Sequence, residues 1–194
     1  MSKRTDTRER VLRTAATLFQ AQGYNGTGLN QVLAEAAAPK GSLYFHFPGG
    51  KEQLAAEAVD LTGGELCSLI EATLANAGDV AGAVERVIDL LAEVLSGSDF
   101  TLGCPVAAVA LEAGDNARLR SACDKVYRSW IDVVARFLAE HGLAGEQART
   151  LATITVAAIE GGLLLARTQR DLAPLRAVAD HVRDTIATAA GDTV

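Results

Sequence analysis

At 194 residues, with 49% hydrophobic and 22% charged side chains and only four prolines, the chain can enclose a core, which excludes intrinsic disorder. Its three cysteines, Cys67, Cys104 and Cys123, are odd in number and widely spaced; that fits neither a disulfide framework nor a paired metal site, and suits a reduced cytoplasm. The net charge of −6 argues against nucleic acid as an average, yet residues 1–51 carry seven basic against three acidic side chains and residues 52–194 carry eleven against 21, so one end alone suits a polyanion.

Abundant Ala, Leu, Glu and Arg, few aromatics and no strand-like alternation predict an all-α fold of about nine helices. The opening residues lead into no uninterrupted apolar stretch, so no secretory leader is expected. The most apolar run, residues 154–166, is interrupted by Glu160 and falls short of the ~20 residues a bilayer span requires, so no membrane partner is expected.

Taken in chain order, Asp6 is expected to cap a first helix, with Glu9 completing a capping box and Val11, Ala15, Leu18 and Phe19 on its inner face. Gly23 is its expected stop. Thr27 can cap a short second helix over residues 29–37, with Leu29, Val32, Leu33 and Ala36 buried. A turn through Ala38 and Pro39 then introduces a third helix, from about Lys40 to Phe47, ended by Pro48-Gly49-Gly50. Residues 51–77 read as one long helix with a weak point at Gly63-Gly64. Asp79 is placed to cap the next, whose stripe is Val80, Val84, Val87, Ile88, Leu91 and Leu95. A short apolar helix around residues 104–111 follows. Residues 116–141 form another, with Leu119, Cys123, Val126, Trp130, Val134 and Phe137 inward, and residues 146–170 and 174–190 complete the set.

Two short helices joined by a tight turn, with small residues at the turn and polar ones at its rim, are what a helix-turn-helix requires to set its second helix in the major groove. In residues 27–47, Leu43 and Phe47 can anchor that helix, leaving Lys40, Gly41, Ser42 and His46 outward, with Gly41 permitting close approach. Gly49-Gly50-Lys51 is no phosphate-binding loop of the nucleotide-hydrolase kind, because Glu52 replaces the hydroxyl residue and no strand precedes it.

The string GYNGTGLNQVLAEAAAPKGSLYFHFPGGKEQL, residues 23–54, resembles the DNA-binding signature of the TetR family of bacterial transcriptional regulators, and GCPVAAVALE with AAIEGGLLLAR resembles its LmrA/YxaF-type subgroup. The resemblance implies a TetR-like fold with a helix-turn-helix domain over residues 1–50 (motif about 28–47, continuing into a fourth helix to about 65) and a ligand-binding and dimerisation domain over residues 51–194. It implies base approach by Lys40, Gly41, Ser42 and Phe45, and phosphate contact by Thr27, Tyr44, His46 and Lys51, the last adding charge to the amides at a helix start. The Pro48-Gly49-Gly50 turn is one residue longer than the commonest family form. Lys3, Arg4 and Arg8 are expected to reach a neighbouring groove or backbone.

The same resemblance implies a homodimer on a palindromic operator, an effector cavity, and no cofactor or metal. Phe100, Cys104, Tyr127, Trp130 and Phe137 are the candidate cavity residues, with plain core packing as the alternative for each and a redox role as a further one for Cys104. Leu151, Ile154, Ala158, Gly162 and Leu165 are the candidate dimer face. A hydrophobic small molecule that tilts the 51–77 helix and respaces the two reading heads would release the DNA. Enzyme chemistry is the rival reading, but the sequence holds no paired carboxylates, zinc-protease motif or nucleophile elbow, and its histidines, His46, His141 and His181, are far apart. An activator or an effector-free architectural protein is the second rival.

Overall fold

The computed structural model describes residues 2–191, with side chains from Asp6 onward, and its described residues form nine helices and no strand. They are α1 (Ser2–Gly26), α2 (Leu29–Glu35), α3 (Ser42–His46), α4 (Gly50–Ala75), α5 (Val80–Gly97), α6 (Ala107–Glu112), α7 (Ala117–Glu140), α8 (Gly145–Gln169) and α9 (Ala173–Gly191). The chain divides into two compact units: residues up to Glu65 with Cys104–Val126, and Leu66–Gly103 with residues from Tyr127 onward.

In the first unit α1 packs on α2 and α6. Val11, Ala15, Leu18 and Phe19 are buried as the 3.6-residue period requires, and Val32, Leu33 and Ala36 of the second-helix stripe bury with them. The start of α1 differs from expectation. Asp6 lies inside the helix and accepts from Arg10 Nη1 at 2.6 Å, one turn on, so it is half of a surface pair and not a cap. Gly23 does break the helix, with φ 79° and ψ 171°, backbone that essentially only glycine adopts. Thr27 does not cap α2: the residue before α2 is Gly28, and the buried Thr27 hydroxyl donates to Gly23 O at 2.8 Å. Gly63 is no weak point, because α4 runs unbroken through it. A Cβ there would collide with the Val126 side chain of α7, so the glycine lets the two helices touch.

In the second unit α9 packs against α8 and α5. Asp79 caps α5 as expected, its carboxylate accepting from Gly82 N at 2.7 Å. The core joins Val87 of α5, Val133, Phe137 and Leu138 of α7, Ala148 and Ala152 of α8, and Val182 and Ile186 of α9. Val133 takes the fully buried place expected for Val134, which is only partly buried. Helix α8 is long and apolar enough, by length and composition alone, to cross a membrane, beyond what the interrupted run 154–166 suggested. Its apolar residues are shared between a face packed on α9 and an exposed face.

Candidate nucleic-acid interface

Helix α3 is shorter than expected, five residues from Ser42 to His46, because the turn before it closes on Pro39: the Pro39 carbonyl accepts from Ser42 N at 2.9 Å and from Ser42 Oγ at 2.6 Å. Leu43 and Phe47 hold it down, at 2% and 0% exposure, as their four-residue spacing indicated. Tyr44 and Phe45 then project outward at 65% and 61%. Large side chains so exposed on a short helix gain nothing from the core, and they form the apolar part of a surface whose polar part is Lys40 and Gly41, both exposed. His46 is half-buried, edge-on to Phe45 with ring centroids 4.9 Å apart. Ser42 is half-buried too, its hydroxyl proton committed to Pro39.

The turn out of α3 is built on two glycines. Gly50 has φ 63°, in the left-handed region that suits glycine, and its N–H donates to Phe47 O at 2.8 Å. The Gly49 N–H donates to Gln53 Oε1 at 2.8 Å. Gln53 Nε2 donates in turn to Glu57 Oε1 at 2.8 Å, and Glu57 Oε2 accepts from Arg8 Nη2 at 2.5 Å. The Arg8 guanidinium also lies 5.0 Å from the centre of the Phe47 ring. A chain of contacts thus runs from the turn after α3 through the first turns of α4 to α1.

That network corrects the expectation for Arg8, which is held by Glu57 and Phe47 and is not an arm for a neighbouring groove. The side chains of Lys3 and Arg4 lie outside the described residues. Thr27 is corrected as well: at 1% exposure, with its hydroxyl donated to Gly23, it supports the α1–α2 break and offers no side chain to a phosphate. Lys51 stands in the first turn of α4, half-buried, with Nζ 4.6 Å from the centre of the Tyr24 ring. Burial lowers its pKa from the usual lysine value, and the Glu112 carboxylate opposes that shift. Burial, with a smaller contribution from Glu52, pushes the Tyr24 hydroxyl up.

Sequence reasoning missed Glu112. From α6, this side chain reaches the kink at Gly23 near the end of α1 and accepts from Asn25 N at 2.5 Å. It occupies the space a Cβ on Gly23 would fill. The GCPVAAVALE segment that ends on Glu112 was the signal in the sequence, read only as a subgroup resemblance.

The other candidate residues are dispersed. Cys104 belongs to the first unit, buried, with Sγ accepting from Val106 N and Ala107 N at 3.4 Å each. Phe100, Tyr127, Trp130 and Phe137 belong to the second. There Tyr127 and Trp130 meet edge to face, centroids 5.4 Å apart, and Phe100 has φ 59° beneath the Arg170 guanidinium. A cleft of about 280 Å³ between the ends of α4 and α7 is lined by Leu74, Val133, Arg136, Phe137 and His141, and so includes one of the five. On α8, Ile154 and Leu165 are exposed at 55% and 50%, and Leu151 and Ala158 are half-buried. Gly162 is buried, and a Cβ there would stand 3.1 Å from Val178 Cγ2 of α9, so it permits close packing of α8 on α9 within the chain.

An all-helical chain in which a short, firmly anchored second helix offers lysine, glycine and aromatic side chains to solvent is a helix-turn-helix transcriptional regulator. Comparison with known proteins gives the family. The sequence profile of bacterial regulatory proteins of the tetR family matches residues 11–58, and that of the transcriptional regulator LmrA/YxaF-like C-terminal domain matches residues 80–181. The chain is 43% identical to the HTH-type transcriptional regulator YxaF of Bacillus subtilis over 94% of its own length and 96% of that protein's, and 38% identical to LmrA of the same organism, over 93% and 97%. Its fold is similar to a crystal structure of a TetR transcriptional regulator from Chloroflexus aurantiacus, with TM-score 0.77, 31% identity and coverage of 96% and 97% of the two chains. The chain belongs to the TetR family, in its LmrA/YxaF-like branch, and is a transcriptional regulator and not an enzyme.

Proposed function

We propose that the chain is a repressor that binds a palindromic operator as a homodimer and leaves it when a small hydrophobic effector binds. The observation that carries the DNA half of this reading is the surface of α3. Lys40, Gly41, Tyr44 and Phe45 are exposed around a helix pinned by Leu43 and Phe47, which is the geometry a groove-reading helix needs. Lys40, Gly41, Ser42 and Phe45 approach base edges. Tyr44, His46 and Lys51 hold phosphates, and a phosphate beside Lys51 raises the pKa that burial has lowered. Residues 1–50 serve DNA binding and residues 51–194 serve dimerisation and effector binding, and the protein works in the cytoplasm at the nucleoid.

Dimerisation is supported by Ile154 and Leu165, eleven positions apart and so about three helical turns apart on one side of α8, left open to solvent by a helix whose other side is buried. A twofold pair of reading heads matches an operator with two half-sites. The effector half rests on the aromatic side chains Phe100, Tyr127, Trp130 and Phe137, which suit a largely apolar compound.

The experiment is selection of duplexes from random-sequence DNA by the purified chain, followed by footprinting and titration with apolar compounds. The expected result is an inverted repeat protected in two half-sites, with Lys40→Ala and Phe45→Ala each losing the preference and at least one compound releasing the DNA. Protection of a single undivided site by a monomer would overturn the dimer. Undiminished affinity and undiminished sequence preference in both variants would overturn the assignment of α3. Lower affinity without a change in preference would move those residues from base to phosphate contact.

A further inference from the structure

The first 51 residues hold seven basic side chains, which on sequence alone looked like the whole of the charge available to DNA. Most of it is committed elsewhere. Arg8 is paired with Glu57, Arg10 with Asp6, and Arg13 with both Glu9 and Glu65. The Lys51 ammonium lies over the Tyr24 ring. Apart from Lys3 and Arg4, this leaves Lys40 as the cation of that stretch open to solvent at the α3 surface.

A further cation stands beside the same surface and comes from far along the chain. Arg118, in the first turn of α7 and in the same compact unit as α3, lies against the turn between α3 and α4. Its Nη1 sits 2.6 Å from the point where a Cβ on Gly49 would be, so any other residue at position 49 would have to displace the guanidinium. The Pro48-Gly49-Gly50 turn thus has an arginine end beside its backbone, at a position where glycine offers no side chain to push it aside. Arg118 is exposed and makes no hydrogen bond or ion pair with any described residue. An arginine fork with its N–H groups open to solvent, next to a helix start that carries Lys51, suits the planar two-point contact that phosphate oxygens offer.

We propose that Arg118 is an additional phosphate-holding residue of the DNA interface, delivered by α7 onto the Gly49 turn. The proposal rests on the reading that α3 binds duplex DNA. A contact of this kind adds affinity and no sequence information, because phosphates are alike at every base pair.

The test compares the wild-type chain with Arg118→Gln, Arg118→Lys and, as a control on an exposed arginine of α9, Arg176→Gln. Binding is titrated across salt concentrations against a random-sequence duplex and against the duplex that the wild type selects from such a pool. Arg118→Gln is expected to lower the slope of log affinity against log salt by about 0.9 for each phosphate no longer neutralised, so by about two for a dimer. Affinity for both duplexes falls together and the preference between them stays the same. Arg118→Lys keeps most of the slope, Arg176→Gln matches the wild type, and all four chains unfold at the same temperature. An unchanged slope in Arg118→Gln, an equal loss in Arg176→Gln, or a loss confined to the selected duplex would each overturn the assignment while leaving the α3 reading standing. A wild type that binds neither duplex at low salt would overturn the α3 reading, and Arg118's role with it.

Discussion

Glu112 shows how much of a binding surface can depend on one side chain outside it. Its carboxylate satisfies Asn25 N–H at 2.5 Å, fills the space that the missing Cβ of Gly23 leaves, and opposes the burial that lowers the Lys51 pKa. Glu112→Ala is expected to cost about 1 kcal/mol of stability, the ordinary net worth of a hydrogen bond, and to weaken DNA binding because the α1–α2 break loses its brace. Glu112→Gln should recover most of both, since an amide oxygen accepts the same N–H; thermal unfolding and a DNA titration measure the pair. A Glu112→Gln chain as impaired as Glu112→Ala would remove the hydrogen bond as the cause. This interaction was illegible in the sequence, because its partners lie 87 residues apart and no local period joins them. Cys123 carries a second prediction. Burial, reinforced by the Asp60 carboxylate, pushes its thiol up to about 11. The folded chain therefore holds that proton more tightly than the unfolded one. The stability gained is complete below the ordinary thiol range near pH 9 and is lost progressively as the pH rises towards 11. Alkylation followed by mass spectrometry at pH 8 should label Cys67, which is partly exposed, well before Cys123. Equal labelling would show that Cys123 is not held as described.

Adjacent glycines in α4 separate the two ways a helix uses that residue. At Gly63 an added methyl meets both methyl groups of Val126 from α7, whereas at Gly64 nothing stands within 4 Å. Gly63→Ala is expected to destabilise by about 1–3 kcal/mol through overpacking, and Gly64→Ala to stabilise by about 0.5–1 kcal/mol through helix propensity alone. Midpoints of denaturant unfolding distinguish them, and equal shifts of one sign would deny the close approach. The Gly63-Gly64 pair illustrates where the sequence was readable and where it was not. Elements with a strong apolar period were legible: the buried positions of α1, the Asp79 cap and most of the α7 stripe stand where a 3.6-residue repeat puts them. Features decided by a partner elsewhere were not. Gly63 reads as a weak point of a long helix because Val126 is invisible to a local window, Asp6 reads as a cap because nothing upstream announces that the helix continues, and Thr27 reads as a cap of the second helix because its acceptor is a carbonyl freed by the Gly23 kink. The anchors of α3 were legible for the opposite reason: Leu43 and Phe47 are four apart on one short helix, so local geometry alone decides that they face inward together.

The chain as a whole carries a net charge of −6, so binding to a polyanion depends on local cations such as Lys40 at the α3 surface, and in the proposed dimer two such surfaces engage one duplex at once. A single short helix with a few exposed side chains offers little contact area, whereas two tethered copies reading one duplex raise the apparent affinity by about 10²–10⁴ without any new interaction. In the proposed dimer, the contact between copies is assigned to α8. Ile154, Leu164 and Leu165 are exposed at 55%, 59% and 50%, while Leu163 and Ala166 between and beside them are buried. Aliphatic side chains left in water on the open side of a helix whose other side packs within the chain are stabilised by covering, and a second copy of the same face does so with twofold symmetry. A charge placed there must be desolvated or must hold the copies apart. Leu165→Asp is therefore expected to give a folded monomer, with the helical circular dichroism of the wild type, half its mass in sedimentation equilibrium and operator affinity lower by two orders of magnitude or more, while weak binding to an isolated half-site persists. Asp in place of Arg176, on an exposed part of α9, should leave the mass unchanged. A variant at Leu165 that kept both the wild-type mass and its operator affinity would move the dimer face off α8, and one that became monomeric yet held the full operator undiminished would deny that pairing of the two heads is what gives the protein its grip.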